Sequence, residues 1–68
     1  MLVASWSGTI VKIFTDAKIH VRTIHARFPV VGVQISGDST SDAVVAIAMN
    51  NGKTDVFKSS GAMVRKGL

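Results

Sequence analysis

The fold is decided by residues 42–67: Ala43-Val44-Val45-Ala46-Ile47-Ala48-Met49, then Asn50-Asn51-Gly52, Lys53-Thr54-Asp55-Val56-Phe57-Lys58, Ser59-Ser60-Gly61 and Ala62-Met63-Val64-Arg65-Lys66. Small and β-branched residues run in short blocks, and the blocks are parted by Asn, Ser and Gly. The blocks suit pleated strands and the interruptions supply turns, so three strands joined by two turns are expected. Much of the same text stands near the N-terminus. Leu2-Val3-Ala4 is echoed by Val44-Val45-Ala46 at a spacing of 42. Ile13-Phe14 is echoed by Val56-Phe57, and Val21-Arg22 by Val64-Arg65, both at a spacing of 43.

The rest of the chain reads in the same way. Residues 1–7 predict a first strand with Trp6 near its end, and Ser7-Gly8 turns the chain because glycine accepts the positive φ of a tight hairpin. Residues 9–15 predict a second strand, with Val11 and Ile13 on one face and Ile10, Lys12 and Phe14 on the other. Asp16-Ala17-Lys18 turns again. Residues 19–24 alternate Ile19, Val21 and Thr23 against His20, Arg22 and Ile24, the pattern of a half-buried outer strand. Pro29 cannot donate to a ladder, so it belongs at a strand start or in a loop. Residues 30–36 predict a deeply buried strand with Val31, Val33 and Ile35 on one face, and residues 37–42 a polar, linker-like loop. Seven strands at intervals of about 8 to 12 residues suit a sandwich, a barrel or a propeller.

Composition agrees with an all-β chain. Val, Ile and Thr together number 21, glutamate is absent, and Leu occurs only at positions 2 and 68. At 68 residues there is room for a single domain, with repeat 1 over about residues 1–27 and repeat 2 over about 28–68. A domain this small buries only about 60% of its unfolded surface. Disulfides and thiolate zinc sites are excluded, because there is no cysteine. Oligomerisation is the remaining way to gain burial. The net charge of +4 comes from eight Lys and Arg spread along the chain against four Asp, which reads first as a solubilising surface. No apolar run reaches the roughly 18 residues of a membrane helix, and the N-terminus lacks the pattern of a signal peptide. A cytoplasmic protein without membrane contact is expected.

A period of 42 to 43 residues carrying about four strands marks a β-propeller blade. Residues 2–14 (LVASWSGTIVKIF) resemble the second and third strands of a WD-repeat blade: a hydrophobic strand ending in small residues, a Gly turn, then alternating apolars closing on an aromatic. Residues 29–38 (PVVGVQISGD) resemble the innermost strand and the loop after it. The family's Gly-His pair and its Trp-Asp are missing, with Phe14-Thr15 and Phe57-Lys58 in the latter's place. The resemblance implies about two blades per chain, whereas propellers close with four to eight. Copies of the chain would then complete the ring, with a trimer of six blades expected. Some small sugar-binding lectins are built in this way. By the family's strand order the first blade lacks an innermost strand. The alternative is a small barrel of the SH3 or OB type.

Catalysis finds little support. Besides cysteine and glutamate, a G-x-S-x-G and a phosphate-binding Gly-rich loop are missing. His20 and His25 with Asp16 would give at most a base and its orienter. Asp38 and Asp42 flank a Ser-Thr-Ser loop whose oxygens serve Asx-turns better than a cation. No enzyme, cofactor or metal is expected. Binding is better supported. In a propeller the loop before the inner strand and the turn between the second and third strands open on one face. Carried over, this gathers Trp6, Ser7, His25, Arg27, Phe28, Asn50, Asn51 and Lys53. Aromatics stack on the apolar faces of sugars, while amides and guanidinium groups bond to hydroxyls or carboxylates. The resemblance thus implies a binding or scaffold module for a carbohydrate or a protein segment. If the small barrel holds instead, nucleic acid becomes the expected ligand, although only four aromatics are present as stacking platforms.

Overall fold

A computed structural model of the chain describes residues 1–37 and 43–67. It is all-β, with strands β1 (Leu2–Ser7), β2 (Ile10–Thr15), β3 (His20–His25), β4 (Val30–Ser36), β5 (Val44–Met49), β6 (Thr54–Lys58) and β7 (Met63–Arg65). The described residues contain no helix. Each strand pairs antiparallel with the next, giving a three-stranded sheet in the order β1-β2-β3 and a four-stranded sheet in the order β4-β5-β6-β7. The two sheets stay separate and no closed barrel forms among the described residues, which removes the SH3- or OB-like alternative. The Asp38 and Asp42 loop lies outside the described residues.

The sheets pack face to face over one core. Leu2, Val11, Ile13 and Ile24 of the first sheet meet Val45, Ile47, Met49 and Phe57 of the second. Two expectations about the core are corrected. The inward residue of β3 is Ile24, paired with Val11, whereas Ile19 lies at the surface. A register shift between Ile13 and Phe14 breaks strict alternation, so a period of two misassigns the strand. Likewise β4 is not the most buried strand. A register shift between Val30 and Gly32 leaves Val31 exposed, and Val33 and Ile35 are only half-buried. Their partners on β5, Ile47 and Val45, are fully buried. β4 is an edge strand of the second sheet and lies beside β1, an edge strand of the first.

The sequence echo is also a structural repeat. Val3↔Phe14, Ala4↔Ile13 and Ser5↔Lys12 on β1 and β2 recur as Val45↔Phe57, Ala46↔Val56 and Ile47↔Asp55 on β5 and β6. Ile13↔Arg22 recurs as Val56↔Arg65, and both halves shift register at the next step, between Ile13 and Phe14 and between Val56 and Phe57. The turns repeat as well. Lys18 N donates to Thr15 O at 2.9 Å, as Gly61 N does to Lys58 O at 2.8 Å. Asp16 N donates to Met1 O at 3.0 Å, as Ser59 N does to Ala43 O at 2.8 Å.

Burial, by contrast, is exchanged between the halves. Leu2 and Ile13 face the core, while their counterparts Val44 and Val56 lie on the outer face of the second sheet. Val45 and Phe57 face the core, while Val3 is 42% exposed and Phe14 half-buried on the outer face of the first. With the face that carries Leu2 and Ile13, or Val44 and Val56, termed the front, the front of the first sheet packs on the back of the second.

Candidate functional site

The turns at one end of the sandwich are laced together by their backbones. Ala26 N donates to Thr9 O at 2.7 Å, Val30 N to Gly8 O at 2.8 Å, and Asn50 N to Pro29 O at 2.8 Å. The β1–β2 hairpin, the segment joining β3 to β4, and the β5–β6 turn therefore form one continuous rim. The candidate residues Trp6, Ser7, His25, Arg27, Phe28, Asn50, Asn51 and Lys53 all belong to this rim or to the strand ends beneath it. Trp6 and Phe28 are each 42% exposed, well above a core aromatic.

A shallow cleft of about 180 Å³ lies at this end, lined by Ser5, Trp6, Ser7, Ile10 and Lys12. Trp6 and Ser7 are the only two of the eight candidates in its wall. His25 is the neighbour of Ile10 across β2 and β3 and stands at the same end. Ser5, Ser7, Ile10 and Lys12 share one face of the hairpin and bring two hydroxyls, an ammonium and an isoleucine to the cleft, while Trp6 pairs with Val11 and belongs to the other face. Ser5, Ile10 and Lys12 were not singled out by sequence. Alternation does place Ser5 and Ser7 opposite Lys12 and Ile10 once the hairpin register is known.

Two of the remaining candidates, Arg27 and Asn51, have structural duties. Arg27 Nε donates to Asp55 Oδ2 at 2.9 Å and Nη2 to Asp55 Oδ1 at 2.8 Å, a fork-to-fork pair. Arg27 Nη2 also donates to the Gly67 carbonyl at 2.7 Å, and Gly67 N donates to Asp55 Oδ1 at 2.7 Å. Asp55 is fully buried. The bond from Arg27, helped by Gly67 N and by the charges of Arg27 and Lys66, holds its carboxyl below the usual carboxylate range despite desolvation. Arg27 is held correspondingly above the usual guanidinium value by the same bond. Its guanidinium carbon also lies 5.8 Å from the Phe28 ring centroid. Arg27 thus clips the inter-sheet segment and residue 67 to β6. In the adjoining turn, Asn51 Oδ1 accepts from Lys53 N at 3.0 Å, an Asx-type closure.

Asp55 is the residue that sequence reading missed. Its signal was available: on β6 it shares parity with Phe57, so an inward Phe57 carries a carboxylate inward and demands a cation. Elsewhere, His20 Nε2 lies 2.9 Å from Thr23 Oγ1 and its ring meets Phe14 edge-on at 5.4 Å. No group of three or more His, Cys, Asp or Glu side chains that could hold a metal gathers among the described residues. No protein-family model, no curated protein and no solved structure matches the chain.

Proposed function

We propose that the chain is a non-enzymatic binding module, a subunit of a homo-oligomeric β-propeller, that takes a carbohydrate at the rim formed by its three turns. The observation that carries this reading is the Trp6 cleft. It brings Ser5, Ser7 and Lys12 together in a shallow opening bordered by Trp6, a residue that is itself 42% exposed. A sugar ring suits such a surface, since its C–H face stacks on an indole and its hydroxyls exchange bonds with hydroxyl and ammonium groups. The backbone lacing beneath the cleft keeps its walls pre-organised, which lowers the ordering cost of binding. Phe28, His25, Asn50 and Lys53 extend the rim and would contact a longer saccharide or a protein segment.

Trp6 is the only tryptophan, so its emission reports on the site directly. Titration with neutral and acidic oligosaccharides at physiological salt, alongside a glycan array, is expected to give a saturable change in emission. Trp6→Ala should abolish retention on the array, and Phe28→Ala should weaken it less. A saturable response to extended peptides alone would move the ligand from sugar to protein segment. A response to single-stranded oligonucleotides alone, falling steeply with salt, would replace the carbohydrate reading with nucleic-acid binding.

A further inference from the structure

We infer that the outer front of the second sheet docks, head to tail, on the outer back of the first sheet of another copy of this chain, through the pairing that already joins the two sheets within one chain. The inference rests on the oligomeric part of the proposed function and adds the surfaces, their polarity and their symmetry.

The repeat carries it. Within the chain, Leu2, Ala4 and Ile13 form a front that packs on a back containing Val45 and Phe57. The equivalent front residues of the second sheet are Val44, Ala46 and Val56, and the equivalent back residues of the first are Val3 and Phe14. These are the apolar positions left open. Val3 and Phe14 line one surface cleft with Ala4, Ser5 and Lys18, and Ala46 lines another with Gly32, Gln34, Ala48 and Thr54. A single chain therefore offers one unused front and one unused back with matching registers and matching bulges. Sheets that meet front to back are related by a heterologous operation, because a two-fold axis would join front to front or back to back. Repeating that operation closes a ring when the rotation allows it.

Between copies Ser5 stands in the place of the buried Ile47 and Thr54 in that of the buried Val11, so the second junction is more polar than the first, and it also differs in charge at two places. Within the chain Asp55 sits on the back of the second sheet and holds Arg27, and Arg22 lies over Gly61, where an added Cβ would come within 3.3 Å of its Cδ. Between copies, Lys12 stands in the place of Asp55 and Lys18 in the place of Gly61, with Arg65 in that of Arg22. Arg65 then approaches Lys18, so raising the salt concentration should tighten the assembly by screening this repulsion. Ser5, Ser7, Ile10 and Lys12 of the cleft lie on the same back face, so the neighbouring copy's front becomes its second wall.

Two variants with one spoiled face each test the polarity. Val3→Lys spoils the back and Ala46→Lys the front; both positions are at least partly exposed in the single chain. Wild type is expected to run in light scattering as a discrete multiple of the 7.2 kDa chain. Each variant alone should lose that multiple. An equimolar mixture still holds one intact front and one intact back, and should give a species of two chains. Circular dichroism reads the same rescue as recovered sheet signal if a lone variant does not fold. Variants that keep the wild-type mass would overturn the assignment of faces and leave oligomerisation standing. Variants that lose the mass and fail to pair when mixed would overturn the head-to-tail polarity alone. A folded single-chain wild type at high concentration and salt would remove both the inference and the oligomeric reading.

Discussion

The two sheets share a register, a bulge and a turn, yet one has its back covered and the other has its back open. On the second sheet, Phe57 is buried against the first sheet, and Asp55 beside it is sealed by Arg27 and Gly67. On the first sheet, Phe14 occupies the equivalent place half-exposed, and the position of Asp55 is taken by Lys12. The same local strand code is thus used once for a core and once for a surface. The difference shows that strand pairing and facing are separable. The β-branched blocks and the bulge set register, and what lies across each face sets burial.

The largest test of that contrast is a pair of identical substitutions at equivalent positions. Phe57→Ala removes a buried ring and should cost about 4 kcal/mol, which leaves a domain of this size largely unfolded at 37 °C. Phe14→Ala removes a ring that a single chain covers only in part, so about 1 kcal/mol is expected in dilute solution. Urea unfolding of both variants at two protein concentrations separates the cases. If another copy covers the back of the first sheet, the Phe14→Ala cost grows with protein concentration, because assembly adds to the stability of wild type. Equal costs for the two variants in dilute solution would break the comparison.

What the two sheets share was legible in the sequence. The spacings of 42 and 43 located β1, β2 and β3 against β5, β6 and β7, and the structure keeps those spacings pair by pair. The turn ends were legible too, because Gly8, Pro29 and Asn50-Asn51-Gly52 each stop a strand for a local reason. The inward side of β3 and β4 was not, although that of β2, with Val11 and Ile13 together, was. A register shift moves side chains from one face to the other, and nothing in Phe14-Thr15 or Val30-Val31 marks where it falls. The Arg27–Asp55 pair also escaped the reading, since its partners lie 28 residues apart and meet only when the sheets pack. Arg27 thus stood out as a surface cation on the candidate face, and its place as a strut depends on tertiary contact.

The next effect in size concerns the sealed half alone. Asp55 is more acidic in the fold than in the unfolded chain, where a carboxyl of this kind titrates near about 3.9. Its contribution is therefore fully present above that value and is lost as pH falls through the lower folded value. Asp55→Asn removes the charge and should cost about 2 kcal/mol at pH 7, the usual worth of hydrogen bonds to a buried ionised group. Denaturant midpoints followed from pH 7 to pH 2 should fall in wild type at the acid end and fall less in the variant. Parallel curves would show that Asp55 does not carry the acid limb. Lys12→Asn, at the equivalent position of the open half, should leave the acid limb of wild type unchanged.

The smallest effect lies in the turns. Lys18 has φ at 67°, the only positive value at a non-glycine residue among the described ones, and its counterpart Gly61 has φ at 99°. Both positions close the same turn with the same backbone bond to Thr15 O or Lys58 O. An L-residue in this region is held against its steric preference at a cost of roughly 1–2 kcal/mol, which glycine avoids while losing more chain entropy on folding. Lys18→Gly should therefore stabilise the chain by about 0.5–1 kcal/mol, a rise of roughly 3–6 °C in the thermal midpoint. The reverse exchange, Gly61→Lys, should destabilise it, because the side chain meets Arg22 as well as the unfavourable φ. If Lys18→Gly raises the midpoint and also increases the wild-type oligomer fraction at low salt, the gain has a second source. Removing Lys18 then relieves the approach of Arg65 from a neighbouring copy, and the two junctions become alike at that position. A gain in midpoint with no change in association at any salt concentration would confine Lys18 to its own turn.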